Sequence, residues 1–229
     1  EHTHGTGCTL SAAIAARLGA GQDLPTAVSA ARDYLNSCLA AAYPPGKGFG
    51  PPNHMSVLWK EKQRTVVRSK LLQAGEELLA MKGLHKLVPE VRMNLALALT
   101  GAETINEVAA FEGRITCSRS GRIIIPGSPE FAASSHMAKV VLAAARINPT
   151  ITCALNIRFN EAILKAVKAA GLLCAWFDRA EEAKNVKEIE GSSLEWGAFE
   201  ALKRWKNAGE KKPADAVCDK GESGKEPMI

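Results

Sequence analysis

His136 closes the string Ser134-Ser135-His136, where a helix is expected to begin. The first amides of a helix have no intrahelical partner, and the two serines add hydroxyl donors. A phosphate could rest there, with His136 as donor or acid to a departing oxygen. The simpler alternative makes Ser134 a plain N-cap and His136 a surface residue. Upstream, Arg114 follows Gly113 at the start of an expected strand, and its planar fork suits two phosphate oxygens at once. Arg119 and Arg122 flank a nearby turn and are rivals with the weaker claim of hairpin surface residues. Asn156 and Arg158, in "NIRF", fall at the end of another expected strand, the edge where open α/β sheets bind ligands. Pointing outward, they would only be solvated. Lys225 follows two glycines in "GESGKE", where it could meet a phosphate. That string is not a Walker A loop, since it lacks the six-residue glycine spacing and the Ser/Thr after lysine; an ordinary turn is the alternative.

A second group opens the chain. In "THGTGCTLSAAIAARLG", Gly5 and Gly7 allow a tight turn and a close ligand approach, and the helix start behind them offers N–H groups to an anion. Cys8 would feel the positive end of that helix. A bare helix N-terminus explains the same residues.

These groups need elements to hold them. Residues 8–18 read as a helix stopped by Gly19 and Gly21. A second helix carries Val28, Ala31, Leu35, Cys38 and Ala42 at spacings of three and four, with Asp23 or Thr26 as cap and Pro25 at its entry. "YPPGKGFGPPNH" breaks the pattern from Tyr43 to His54. A third helix over about 58–82 has Val67, Leu71, Ala74, Leu78 and Met81 as its apolar stripe and reads as a connector packed on something larger. Beyond Pro89, "MNLALAL" predicts a strand, and "TINEVAAF" a short helix capped by Thr104 with Glu107 at the capping-box position. "GRITCSRSGRIIIPG" predicts two strands around Ser118–Gly121. A helix over about 134–147 follows, then the strand "TITCALNIRF", a helix from the Asn160 cap to Gly171, the buried strand "LLCAWF", the helix "SLEWGAFEALKRWKNAG" and the strand "ADAVCD". Alternation of strands with helices indicates an α/β domain.

Composition bounds the function. A net charge of +5, from 29 basic and 24 acidic residues, is mild and scattered, so nucleic acid is not an expected partner, whereas phosphorylated metabolites are. No apolar run reaches the ~18 residues of a membrane span. Cys8, Cys38, Cys117, Cys153, Cys174 and Cys218 show no CxxC or zinc-type spacing. They read as reduced residues of a cytoplasmic protein, mostly in the core, and no metal ligands are assigned.

The string "HGTGCTLSAAIAA", with "GPPNH" further on, resembles the C-terminal part of hydroxymethylpyrimidine-phosphate kinases, which have a ribokinase fold. That resemblance places Gly5, Gly7 and Cys8 in the anion hole around the transferred phosphoryl group, with Cys8 against the substrate. It covers about residues 1–54, and two helices cannot hold ATP and substrate in line, so no kinase activity is expected from this segment alone. From about residue 60 onward, "PEVRMNLALAL", "VAAFEGRI", "FAASSHMAKV", "NIRF" and "DKGESGKEPMI" resemble the ThiN-type thiamine phosphate synthase domain in order and spacing. The resemblance implies an α/β domain with a mixed sheet, preceded by a helical remnant of a ribokinase-like domain. Domains are expected at 1–58 (kinase fragment), 59–88 (connecting helix) and 89–229 (ThiN-type).

The implied reaction condenses hydroxymethylpyrimidine pyrophosphate with hydroxyethylthiazole phosphate to thiamine phosphate and pyrophosphate. It implies Arg114 and His136 as catalytic, Ser134, Ser135, Asn156, Arg158 and Lys225 as phosphate-binding, and Mg2+ carried on the pyrophosphate. Two departures stand out: alanines in "PEFAASSHM" where the family pattern has a glycine, and an end at Ile229 inside the last matching string, so the chain reads as clipped at both ends. ThiN-like domains also serve as non-catalytic thiamine-phosphate sensors behind helix-turn-helix segments. Against that, the upstream segment here resembles a kinase, and the Arg114/His136 pair is present. A poorly folding, inactive remnant is a third reading. Oligomeric state is left open, with a homodimer as the candidate assembly.

Overall fold

The computed structural model describes residues 3–182 and 192–219. The chain divides into two compact units, Glu1–Arg64 and Thr65–Ile229.

In the first unit, α1 (Thr6–Gly19) packs against α2 (Leu24–Ala40). Asp23 caps α2: its carboxylate accepts from the Thr26 amide at 3.1 Å and the Thr26 hydroxyl at 2.7 Å. The buried face of α2 is Ala27, Ala31 and Cys38, while Val28 is 41% exposed. The expected stripe is therefore shifted by one residue at its start, because the two alanines let the helices approach closely. Asn53, in the Pro/Gly breaker, is buried; it donates to Ala41 O and accepts from Met55 N, tying the end of α2 to the start of the next helix.

That helix, α3 (Ser56–Ala80), runs on into the second unit, where Val67, Leu71 and Leu78 enter the core. Met81, expected in the stripe, lies past the helix end and is 52% exposed. The central sheet of the second unit has the order β5-β2-β1-β6, every neighbour antiparallel: β1 (Leu95–Ala98), β2 (Val108–Phe111), β5 (Pro129–Phe131) and β6 (Cys153–Leu155). Side chains alternate as the pleat requires. Leu95, Leu97, Ala109 and Phe111 join the cluster under α3. Ala96, Ala98, Val108 and Ala110 face α4 (Ser135–Ile147) through Met137, Ala138, Val141 and Leu142. The sheet is thus covered by one helix on each face.

Two expectations are corrected here. "TINEVAAF" is only a single 3-10 turn, Ile105–Glu107, followed at once by β2. The Glu107 carboxylate accepts from the amides of Glu103 and Thr104, as the capping pattern predicts. The next four residues are buried on both faces and pair as a strand. The mixed sheet also separates into parts. Among the described residues parallel pairing is confined to β7 (Cys174–Phe177) and β8 (Ala216–Asp219), a two-stranded sheet of its own. The connection between them holds α6 (Ser192–Asn207), long enough for a parallel crossover; in the central sheet the short β1–β2 link reverses direction, and the β5–β6 link carries a helix from one edge of the sheet to the other. Between β6 and β7 lies α5 (Glu161–Ala169), capped by Asn160 as expected.

β3 (Thr116–Cys117) and β4 (Ile123–Ile124) form the expected hairpin. α6 packs on β7 through Ala201, Phe177 and Ala175 and lies along α4. At Gly197 a Cβ would fall 2.4 Å from the Phe177 ring, so only glycine allows this approach. Of the six free cysteines, Cys38 and Cys218 are buried, Cys8 and Cys153 are exposed, and the other two are half-buried. The expectation of mostly core thiols is therefore met by a minority. Burial, with Cys174 alongside, pushes the Cys218 thiol up to about 12. Among the described residues, no helix is long and apolar enough to cross a membrane.

Candidate functional site

Arg114 follows Gly113, just after β2. Gly113 has φ 74°, and a Cβ there would meet the Pro126 ring at 2.8 Å, so a glycine is required. Arg114 itself has φ 61°, in the left-handed region that non-glycine residues avoid. Its Nη1 donates to Val91 O at 2.9 Å. The neighbouring residue, Ile115, exchanges both backbone hydrogen bonds with Met93, at 2.7 and 3.0 Å. That bridge brings the segment before Met93 beside the segment before Ile115. Arg92 and Arg114 consequently open onto one recess of about 440 Å3, lined also by Glu90, Val91, Gly113 and Ala133.

The far wall of this recess comes from the chain entering α4. Arg68 of α3 holds β5, pairing with Glu130 at 2.8 Å and lying 5.2 Å from the Phe131 ring centre. The next residue, Ala132, takes φ 62°. Ala132 is one of the two alanines in the string where a glycine was expected, and its backbone takes the conformation glycine adopts most freely. Ala133 then lines the recess, and Ser134 caps α4 by accepting from the Met137 amide at 3.4 Å. Ser135 and His136 fill the first turn, exposed and half-buried respectively. Their amides belong to the end of the helix that attracts anions.

Asn156, expected as a phosphate-binding residue, makes two bonds to backbone. Its Oδ1 accepts from the Asn94 amide at 2.7 Å, and its Nδ2 donates to Arg92 O at 3.0 Å. Its side chain is engaged with backbone, as a brace behind the recess. Asn94 is buried; it accepts from Leu95 N and Phe111 N and donates to Phe111 O. Arg158 uses its amide on Leu87 O and lines no part of the recess. Arg119 and Arg122 are exposed on the β3–β4 turn, away from the recess lining. Lys225 lies outside the described residues. Arg92, which the sequence reading did not single out, is the new member. Its signal was a charged residue directly ahead of an apolar strand.

A second, apolar cavity of about 370 Å3 lies between α4, β6 and the β7–β8 layer, with Met137, Leu155, Asn156, Phe177, Leu202 and Val217 among its walls. It adjoins the arginine recess by two short paths. Asn156 lines the cavity and bonds Arg92 at the recess. Ala133 lines the recess, and Met137, one helical turn later, lines the cavity. His136 stands between those two in the chain. A site of this form can hold an anionic group at one end and a flat apolar group at the other.

In the first unit, Gly5 is the N-cap of α1 at φ 86°, and its carbonyl accepts from the Thr9 amide and hydroxyl, each at 2.9 Å. The helix starts at Thr6, so Gly7 and Cys8 sit within its first turn and not in a loop ahead of it. Cys8 is exposed.

Magnesium was expected only as carried on pyrophosphate. The arginine recess offers a single carboxylate, Glu90, and among the described residues no three His, Cys, Asp or Glu side chains converge. Among the described residues the donors of the recess do not fit a resident divalent ion.

Comparison with known proteins follows this division. A family model described as thiamine-phosphate synthase ThiN matches residues 70–229, and one described as phosphomethylpyrimidine kinase matches residues 1–53. The chain is 35% identical over 229 residues to a bifunctional thiamine biosynthesis protein, ThiDN, of Methanocaldococcus jannaschii, covering all of this chain and 50% of that relative. It is 38% identical over 143 residues to the thiamine-phosphate synthase ThiN of Methanothermobacter thermautotrophicus, covering 62% of this chain and 72% of the relative. A crystal structure of the C-terminal domain of a phosphomethylpyrimidine kinase superposes with TM-score 0.64 at 31% identity, over 72% of this chain and 90% of that one. The chain spans half the length of the Methanocaldococcus relative.

Proposed function

The chain belongs to the thiamine-phosphate synthase ThiN family, and from that membership we propose that its second unit is a transferase of thiamine biosynthesis acting in the cytoplasm. It joins hydroxymethylpyrimidine pyrophosphate to hydroxyethylthiazole phosphate, releasing thiamine phosphate and pyrophosphate. The observation that carries this reading is the pairing of an arginine-lined recess with an adjoining apolar cavity. The substrates have the same two-part character, phosphate oxygens attached to flat heterocycles.

In the reaction the bond from the pyrimidine methylene to the diphosphate oxygen breaks, and both electrons leave with the diphosphate. The thiazole nitrogen lone pair then forms the new C–N bond. The positive charge on the thiazolium balances the added negative charge on pyrophosphate, so no net proton is needed. The protein's task is to stabilise the leaving diphosphate and exclude water from the cation. Arg114 receives diphosphate oxygens, its guanidinium pre-aimed by the bond to Val91 O. The first turn of α4, with Ser134 and Ser135 beside it, adds amide and hydroxyl donors. His136 donates a hydrogen bond to the departing oxygen. The apolar cavity keeps the heterocycles dry. Residues 1–58 belong to the C-terminal part of a ribokinase-like kinase domain, with Gly5, Gly7 and Cys8 near its phosphate. The proposed assembly is a homodimer.

The test mixes the protein with both substrates and magnesium and measures thiamine phosphate, alongside Arg114→Ala and His136→Ala. Product from the wild type with both variants near background is expected. Thiamine phosphate binding without any turnover would replace the synthase reading by a sensor.

A further inference from the structure

We propose that Arg92 is a second diphosphate-binding residue and that Asn156 is its positioning residue; this rests on the synthase reading only for the identity of the anion. Among the described residues three non-glycine positions have positive φ: Arg92 at 70°, Arg114 at 61° and Ala132 at 62°. All three fall at one place. Arg92 and Arg114 line the recess, and Ala132 directly precedes Ala133, which lines it too. Unfavourable backbone held in this way concentrates where geometry serves a ligand.

Arg92 is held by its own backbone. Its amide donates to Pro89 O at 2.9 Å, and its carbonyl accepts from Asn156 Nδ2 at 3.0 Å. The other end of the Asn156 amide accepts from Asn94 N at 2.7 Å. A side chain from the end of β6 is thus spent on fixing the backbone of one arginine. Charge adds to this. The residues lining the recess include two arginines and a single glutamate, Glu90, so the recess carries an excess positive charge suited to a polyanion. Two planar forks offer the oxygens of both phosphoryl groups of a diphosphate more donors than one fork can.

The test is calorimetric titration of inorganic pyrophosphate into the full chain, with a melting temperature for every variant. Arg92→Gly should weaken pyrophosphate binding by about tenfold or more, the usual loss for charge-assisted bonds. Its Tm should match or exceed the wild type, since glycine adopts this φ freely. Arg92→Lys should recover part of the binding. Asn156→Ala should weaken binding several-fold in the wild type and cause no further loss in the Arg92→Gly background, because it acts through that arginine. Binding by Arg92→Gly within twofold of wild type overturns the proposal. So does an equal Asn156→Ala loss in both backgrounds, or a wild type that does not bind pyrophosphate. A wild type that binds pyrophosphate with the expected variant losses, yet makes no thiamine phosphate, supports the clamp while refuting the synthase reading. Thiamine phosphate synthesis with an unaffected Arg92→Gly refutes the clamp and leaves the synthase reading standing.

Discussion

Asn94→Ala should be among the most damaging single changes in the second unit. Asn94 is 3% exposed and Phe111 2%. The Asn94 side chain accepts from Phe111 N at 3.1 Å and donates to Phe111 O at 2.9 Å, closing a small ring between the start of β1 and the end of β2. Alanine leaves both Phe111 groups buried without that partner. Each such loss costs about 1–3 kcal/mol, so the pair should cost roughly 2–6 kcal/mol. The third bond, to Leu95 N, is only part-buried and is left out of this sum. A typical domain has about 5–15 kcal/mol in total, so the effect is a large fraction of it. The measurement is urea unfolding followed by tryptophan fluorescence in a Trp59→Phe background. Trp176, Trp196 and Trp205 then report the second unit alone. A loss under about 1 kcal/mol would show that water satisfies Phe111 and that the asparagine bridge does not hold these strands.

Three further outcomes follow from the packing. Gly197→Ala, in spite of a helix-propensity gain of roughly 1 kcal/mol, should destabilise the protein by about 1–3 kcal/mol by driving a methyl into the Phe177 ring; a raised Tm would mean that α6 does not sit so close to β7. Ala132→Gly should stabilise it by up to about 1 kcal/mol, raising Tm by a few degrees, because an exposed alanine at φ 62° loses strain and little packing; a lowered Tm would refute the left-handed assignment. The hydrogen bonds from the Thr26 hydroxyl and amide hold the Asp23 carboxyl below its ordinary value of 3.8. The capping contribution is therefore complete above that pH and lost as pH falls through the lower folded value. In an NMR titration the Thr26 amide should shift with a midpoint under 3.8, and a midpoint at or above it would contradict the cap.

Helices with strong caps were legible in the sequence. Asp23, Ser134 and Asn160 each cap the helix expected of them. Strands bounded by turn residues, such as β3 and β4, were legible too. β2 was not, since Val108–Phe111 carries two alanines, has no period-two contrast and is buried on both faces. Its strand state comes from pairing with β1 and β5, which no local window contains. At the site, Arg114 and Ser134 could be read because glycine and serine mark the turns that hold them. Arg92 could not, because its place depends on the Met93–Ile115 bridge between distant segments. The backbone contacts of Asn156 were out of reach for the same reason. Residue type suggested a ligand group, and only the fold shows the side chain turned back onto backbone.

The Asn156 brace also sets an order of assembly. Its two bonds span 62 and 64 residues, whereas Arg114 reaches its anchor at Val91 across 23. In a chain emerging from the ribosome, the Arg114 contact can close while β6 is still unmade. The aiming of Arg92 must wait until that last strand of the central sheet has docked. Nascent forms lacking β6 would then carry a half-built anion site, with one arginine tethered and the other swinging. Competence to hold diphosphate would arrive late in synthesis.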